Sequence, residues 1–342
     1  MEQSTLVVSE NNLTPPPTFQ LCRFDGKGGC QSFAVAQLAE KKVRSRSSAR
    51  AGTFDWYHLH RDSRETSATL KALKLDSFIT DALMAEDTRP RFTVHGDGAI
   101  IILRGVNLNQ GEEPTDMVSV RFWVEKNLVV GIWIKRIFAI SDIRDSIDRG
   151  NVPSSPADLM ARIAYRLVDR AEPIVATLSE EMDNLEESSD KGFYAKARKR
   201  LIAVRQSAGT LRRFLVTQRD ALTTFSIEDM SWLDDRQRSR IRESAERFTR
   251  LGEELDAIKD RAMITHDEML SERADRMNRT MLVLAVVTAV FLPLGLVTGL
   301  LGINVGGIPG TNDPHAFYFV TGGIALMGIA LWLLIRRSGM MG

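Results

Sequence analysis

Towards one end of the chain, Asn278, Met281, Leu284 or Ala285, Thr288, Leu292, Gly295 and Gly299 recur every three or four residues. At helical spacing they share one stripe. The stripe holds an amide, a thioether, a hydroxyl, apolar groups and two positions without a side chain, but no charge. If copies of it faced one another across water, Met281, Leu284 and Leu292 would form apolar rings able to gate by dewetting. Thr288 would add a ring of hydroxyls. Gly302, Ile303 and Asn304 follow directly. Gly302 can take the left-handed conformation that ends a helix, and Asn304 could present amide oxygens to the water shell of a cation. Glycine and threonine are equally common where membrane helices touch, so the stripe fits helix packing as well as it fits a pore.

Other residues could hold metal. Asp313 and His315 lie just beyond the stripe, and His266, Asp267 and Glu268 before it. Imidazole suits zinc better than magnesium, although a single His at a helix start is more often incidental. The acidic run Glu180, Glu181, Asp183, Glu186, Glu187 and Asp190 could bind divalent cations through carboxylate oxygens. Its simpler reading is a solvated face paired with the basic residues Lys196, Arg198, Lys199 and Arg200 that follow. His58 and His60 point to one face of a strand but lack a third ligand, and read as ordinary surface or core histidines. Cys22 and Cys30 fit a reducing compartment, with no other Cys or nearby His to complete a zinc site. The cluster Gly26 to Gly29 lacks the spacing of a phosphate loop and reads as a turn.

The elements that position the stripe follow from hydropathy. Met281 to Leu301 contains no ionisable side chain, and at about 21 residues it is long enough to cross a bilayer. Ala316 to Ile335 is a second such run. In lipid every backbone polar group must be paired internally, so both runs are expected to be helices. Arg273, Arg276 and Arg279 precede the first, Arg336 and Arg337 follow the second, and residues 302–315 contain no Lys or Arg. Positive charge stays inside, which puts both termini in the cytoplasm and the loop outside. Tyr318 and Trp332 would anchor the ends of the second span at the interface.

The remainder reads as a soluble part. Residues 1–18 are polar with Pro15, Pro16 and Pro17, an expected disordered lead-in without a signal peptide. Residues 19–150 read as an α+β domain: strands at Phe19 to Phe24 and Phe54 to Leu59, a helix from Leu70 to Met84, and antiparallel hairpins over Ala99 to Ile134. The basic stretch Lys41 to Arg50 is expected to be a loop. Residues 151–225 read as an antiparallel helical pair, Ala157 to Ser189 with a kink at Pro173, then Phe193 to Leu222 after a break at Gly192. A stalk helix is expected over 226–280, opened by Ser226 as cap and continuous into the first span at 281–301. The outer loop at 302–315, the second span at 316–335 and the tail at 336–342 complete the chain. Leu251, Leu255, Ile258, Ala262 and Met269 form a heptad-like seam that needs a partner. Self-association into a ring around a central axis is the economical answer.

Gly302-Ile303-Asn304 after a first span, a short outer loop and a second span with a basic tail resemble the CorA family of divalent-metal transporters, whose signature is Gly-Met-Asn. The likeness is most specific over Arg276 to Gly310, where Asn278, Met281, Leu284 and Pro293 fall where the family's pore helix would have them. Gly-Ile-Asn continued as Val305-Gly306-Gly307-Ile308-Pro309-Gly310 is similar to the ZntB zinc-transporter branch. The resemblance implies a homopentamer with a funnel-shaped α+β cytoplasmic domain, long antiparallel and stalk helices and a two-helix transmembrane hairpin. It also implies a bacterial inner membrane and proton-coupled Zn²⁺ uptake along the central axis, with no cofactor. The sequence departs from the family at Ile303, at Leu301 where an aromatic often stands, and in having Asp313 as its single loop carboxylate. Neither span holds an Asp, Glu or His to relay protons.

Other functions are weighed against this one. A magnesium or cobalt channel with a drifted signature shares the architecture, and a membrane-anchored sensor or scaffold would share the spans. No nucleophile–base set, phosphate loop or zinc-hydrolase spacing supports an enzyme. A net charge of +1 lacks the basic excess of a nucleic-acid binder. The expected partners are zinc and other first-row divalent cations, protons, the lipid bilayer and further copies of the chain.

Overall fold

The computed structural model describes residues 19–34, 52–86, 89–188, 194–303, 310 and 313–337. They fall into two units, Met1–Met263 and Ile264–Gly342. The basic stretch at 41–50, Asp190, Gly192, Asn304 and residues 305–309 lie outside the described residues.

The first unit is built on a seven-stranded sheet: β1 (Phe19–Phe24), β2 (Cys30–Ala34), β3 (Phe54–His60), β4 (Arg91–His95), β5 (Gly98–Gly105), β6 (Val118–Glu125) and β7 (Leu128–Trp133). Its order is β2-β1-β3-β7-β6-β5-β4. Neighbours run antiparallel except β3 and β7. β6 and β7 pair as a tight hairpin across Lys126 and Asn127, and β5 pairs antiparallel with β6 across the longer connection 106–117. β5 and β7 are buried along nearly their whole length, which demands cover on both faces.

Two short helices supply one cover: α1 (Arg64–Ala72) and α2 (Ser77–Met84). Leu70, Leu73, Ile79 and Leu83 pack there with Ile100, Ile102, Trp123, Val130 and Ile132. The single helix expected over Leu70 to Met84 is therefore two. Lys74 takes a left-handed conformation, φ 54°, and Asp76 restarts the chain by accepting the Ile79 N–H at 2.8 Å. Apolar spacing on both sides of the break is that of one helix, so periodicity alone conceals it.

The other face is covered by α3 (Phe138–Asp148), α4 (Pro156–Ser188) and α5 (Tyr194–Ile227). Phe225 stacks on Phe92 of β4 with ring centroids 4.9 Å apart, and Gln218 accepts the Arg104 N–H of β5 at 2.6 Å. α4 runs through Pro173 as one 33-residue helix, although Pro173 has no N–H for the preceding turn.

α6 (Asp235–Leu301) is a single helix of 67 residues. It does not start at Ser226, which is buried inside α5 and gives its hydroxyl to the Thr223 carbonyl. The start is at Asp234, whose carboxylate accepts the N–H groups of Arg236 and Gln237. Along its first half, Arg240 reaches Asp158 at 2.6 Å, Arg247 reaches Asp169 at 2.7 Å and Glu172 at 2.8 Å, and Arg261 holds Glu186 and Asp183. These partners ascend both helices together, so α4 and α6 run parallel. α5 runs back between them, with Arg212 pairing Asp256 and Arg200 pairing Glu181.

This three-helix arrangement corrects one expectation. Leu251, Leu255, Ile258 and Ala262 are at most 5 % exposed in the single chain. Their partners are the chain's own helices, and Gly252 comes close to Val216 of α5. The seam therefore does not require a second copy. The acidic run is likewise taken up in part by arginines, although Arg261 of α6 contributes more than the basic opening of α5.

Candidate functional site

The second unit contains the end of α6 and all of α7 (Ala316–Arg337). Both helices are long and apolar enough to cross a membrane. From Asn278 to Gly302 the chain rises about 36 Å at 1.5 Å per residue, against a hydrocarbon core of about 30 Å.

The two helices meet along specific faces. On α6 the partly covered residues are Leu282, Val286, Val290, Pro293, Leu294 and Val297, and on α7 they are Ile324, Met327, Gly328, Leu331 and Ile335. Both sets follow the three-or-four spacing of a helix face. A Cβ built on Gly328 would stand 3.7 Å from Leu294 Cδ1, so the small residue that lets the helices approach belongs to α7.

The stripe lies elsewhere. Asn278, Met281, Leu284, Ala285, Thr288, Leu292, Gly295 and Gly299 are all exposed in the chain. At about 100° per residue they centre roughly opposite the face that meets α7. Among the described residues nothing lies within 4 Å of a Cβ added at Gly295 or Gly299. Met281, Leu284 and Leu292 are 61 %, 66 % and 67 % exposed. The stripe is thus not the hairpin's own packing face, which removes one of its two readings within a single chain. Thr288 donates its hydroxyl to the Leu284 carbonyl at 2.8 Å, leaving oxygen lone pairs as what it can offer a passing hydrated ion.

At the end of α6, Gly302 gives its N–H to the Thr298 carbonyl at 3.0 Å and the Gly299 carbonyl at 3.2 Å. Its φ is not positive, so the expected left-handed helix end is not found there. The last-turn carbonyls are satisfied instead by a tightened backbone turn. Ile303 is exposed, and Asn304, the third member of the motif, lies outside the described residues.

The candidate metal ligands do not converge. Among the described residues no three His, Cys, Asp or Glu side chains are grouped to hold an ion. Asp313 Oδ1 accepts the His315 N–H at 2.8 Å, shaping the start of α7. His266 Nδ1 lies 3.5 Å from Asp267 Oδ1, while Glu268 is exposed beside them. His60 has both ring nitrogens engaged, Nε2 donating to the Ile134 carbonyl and Nδ1 accepting the Asp62 N–H. His58 is buried against Trp56 and Trp133. Burial, with the nearby Arg144 charge, drives its pKa down to about 3, so this imidazole is neutral. Among the described residues its Nδ1 has no hydrogen-bond partner, and it lines a cavity of about 10 Å³, about enough for one water.

Sequence reasoning missed the α6–α7 contact face. Its signal was available: Leu282, Val286, Val290, Leu294 and Val297 recur at helical spacing as an unbroken aliphatic face without glycine or polar groups, and Gly328 faces Leu294.

Comparison with known proteins agrees with this architecture. Residues 51–337 match the family model described as CorA-like Mg²⁺ transporter protein. The chain is 33 % identical to the divalent cation transporter CmaX of Pseudomonas aeruginosa over 319 residues, 92 % of this chain and 93 % of that one. It is 30 % identical to the zinc transport protein ZntB of Yersinia enterocolitica over 91 % of this chain and 93 % of the relative. The full-length CmaX structure superposes with a TM-score of 0.79 at 30 % identity, covering 95 % of this chain and 99 % of that one. The CorA magnesium transporter of Methanocaldococcus jannaschii shares the fold, with a TM-score of 0.77 at 17 % identity over 93 % and 98 % of the two chains. With a family match spanning both units and relatives aligned over nine-tenths of their length, this chain is a member of the CorA-like Mg²⁺ transporter protein family.

Proposed function

We propose that this chain carries zinc, and with it other first-row divalent cations, across a membrane through a pore formed by five copies. In this reading Asn278, Met281, Leu284, Ala285, Thr288, Leu292, Gly295 and Gly299 line the axis, and Gly302, Ile303 and Asn304 form the outer mouth. The observation that carries it is the position of the stripe: uncharged, open, and opposite the face that α6 gives to α7. A face so placed is free to meet its equivalents around an axis. Its lack of charge suits passage of a hydrated ion, held by amide and hydroxyl oxygens and restrained by apolar rings.

Zinc is preferred over magnesium because of the Gly-Ile-Asn motif and the relatives named as zinc transport proteins. The sparse carboxylate near the mouth, Asp313, points the same way, since magnesium capture gains most from an acidic loop. The likeness to CmaX, named a divalent cation transporter, is the reason for including other first-row metals. Uptake driven by protons completes the proposal. With no ionisable side chain from Met281 to Leu301, the proton would travel through water in the pore, with Asp313, His315, His266, Asp267 and Glu268 as mouth-side acceptors. Both termini are assigned to the cytoplasm by the arginines flanking the spans.

The test is metal flux into liposomes containing the purified chain, with and without an imposed pH gradient. Zinc uptake that rises with the gradient supports the proposal; magnesium uptake without zinc uptake overturns it. Asn304→Ala is expected to lower zinc flux about tenfold while the assembly persists, because a hydrated ion loses its oxygen ring at the mouth.

A further inference from the structure

Early in α6, Arg240, Arg247 and Arg261 are each held by carboxylates of α4. The arginines that bracket the two spans are placed differently. Among the described residues Arg273, Arg279 and Arg337 are exposed and make no ion pair. Arg276 reaches Glu272 only at 3.9 Å, with its side chain 60 % exposed. Asp275 lies one turn before Arg279 and forms no ion pair with it. From Arg276 to the end of α6 there is no carboxylate, and α7 contains none. Positive charge therefore stands uncompensated at one end of the hairpin.

Arg276, Arg279, Leu282, Val286 and Val290 follow one another every three or four residues. The two arginines thus continue the side of α6 that meets α7, and stand off the stripe that begins at Asn278 and Met281. The chain turns back over residues 302–315, and Gly328 stands beside Leu294. Counting along both helices puts Arg337 level with Ala285, roughly 9 Å from Arg279 along the axis at 1.5 Å per residue. Ile335, just before Arg337, is 8 % exposed, so α7 stays packed up to its last turn. Trp332 is 44 % exposed and marks the level at which amphipathic aromatics meet the interface. Arg337 accordingly lies at the edge of the hydrocarbon, and Arg279 below it at the depth of the headgroups.

We propose that Arg279 and Arg337 together hold the headgroup phosphate of an anionic phospholipid at the cytoplasmic end of the α6–α7 hairpin. The inference rests on the membrane orientation given above and adds a lipid preference to it. A guanidinium fork binds phosphate oxygens in pairs, and basic residues beside a span are drawn to the anionic leaflet. A zwitterionic lipid brings its own ammonium, which competes for the same phosphate, whereas an anionic lipid leaves that charge to the arginines. The side of α6 they occupy decides what they serve. Arginines on the stripe would repel a passing cation, but on the side of α7 their charge meets lipid. A lipid bridging the two would also tie the last turn of α7 to α6 where the hairpin has no loop to close it.

The experiment uses the full-length chain in detergent, with native mass spectrometry counting the dioleoyl-phosphatidylglycerol or dioleoyl-phosphatidylcholine retained as each lipid is added. The wild type is expected to bind phosphatidylglycerol about tenfold more tightly. Arg279→Gln combined with Arg337→Gln should bring the two lipids within about twofold of each other. Arg273→Gln, about two turns further from the bilayer, should keep the preference. If the double variant does not assemble, Arg279→Gln alone should cut the preference about threefold. A wild type that retains both lipids equally, or variants at Arg279 that keep the full preference, overturns the proposal. Lipid counts are read without metal, so their failure leaves the transport reading standing, and absent flux leaves the counts unchanged.

Discussion

Leu294 of α6 and Gly328 of α7 meet so closely that a Cβ on Gly328 would lie 3.7 Å from Leu294 Cδ1. That contact fixes which way α6 faces. The helix gives Leu282, Val286, Val290, Leu294 and Val297 to its own partner and turns the stripe, Gly295, Gly299 and Thr288 with it, away.

The two sets of glycines are therefore expected to respond differently. Gly328→Ala adds a methyl at ordinary contact distance and should be tolerated. Gly328→Leu should part the helices and lower the yield of assembled protein. Among the described residues Gly299 has no neighbour that an added Cβ would meet, so a Gly299→Leu chain should fold normally, yet zinc flux should fall about tenfold where copies converge on a narrow axis. Size-exclusion profiles and flux on the three variants check this. Equal folding defects at both positions would mean that Gly299 is a packing residue.

Leu292 is 67 % exposed and lies on the same stripe as Thr288. If it forms an apolar constriction, its resistance comes from expelling water rather than from blocking space. Leu292→Ser should raise resting metal leak by roughly threefold or more, because a hydroxyl ring wets the passage. Leu292→Met keeps the passage apolar and should change it little. The check is zinc entry into liposomes at low driving force.

Arg247 ties α6 to α4 through Asp169 at 2.7 Å and Glu172 at 2.8 Å, and its guanidinium lies 4.6 Å from the Tyr165 ring centroid. Its side chain is only 12 % exposed, so these bonds are less screened than surface pairs. Arg247→Met keeps the packing stem and deletes the charge, leaving Glu172 without this partner. A loss of about 2 kcal/mol is expected, the scale of charge-assisted hydrogen bonds. It should be read as a lowered Tm of the full chain in detergent, with zinc flux per folded protein unchanged.

How much of this was legible in the sequence depends on how many physical solutions each pattern allowed. Met281 to Leu301 permitted one answer, because lipid offers backbone groups no partner other than their own helix. The β-branched runs from Ala99 to Trp133 were nearly as constrained, by the pleat and by short turns. The seam from Leu251 to Ala262 was not, since apolar spacing reports that a face is buried but not what buries it. The chain's own α4 and α5 supply that cover, with arginines at 240, 247 and 261 as the clue. The break at Lys74 escaped because a left-handed lysine has no sequence signature. The cleft lined by Cys22, Cys30 and Arg144 was not legible, because β2 and α3, which bring the last two there, have patterns too short to read.

His58 provides a sign test of burial. Its pKa is drawn from 6.5 to about 3, chiefly by desolvation and secondarily by the Arg144 charge. The folded chain therefore binds this proton less readily than the unfolded chain. Stability from this group is complete above about 6.5 and is lost as pH falls from there towards about 3. Linkage gives a slope of about 1.4 kcal/mol per pH unit within that window, or about 2 kcal/mol between pH 7 and pH 5. Most carboxylates remain ionised in that range, so the loss can be assigned to an imidazole. His58→Phe keeps an aromatic ring between Trp56 and Trp133 and cannot take up a proton. Its stability should fall by about 2 kcal/mol less than the wild type's between pH 7 and pH 5. Tryptophan fluorescence during denaturant unfolding of the full chain measures the difference, because Trp56 and Trp133 flank the ring. Parallel losses in the two proteins would show that His58 is not the group that senses acid.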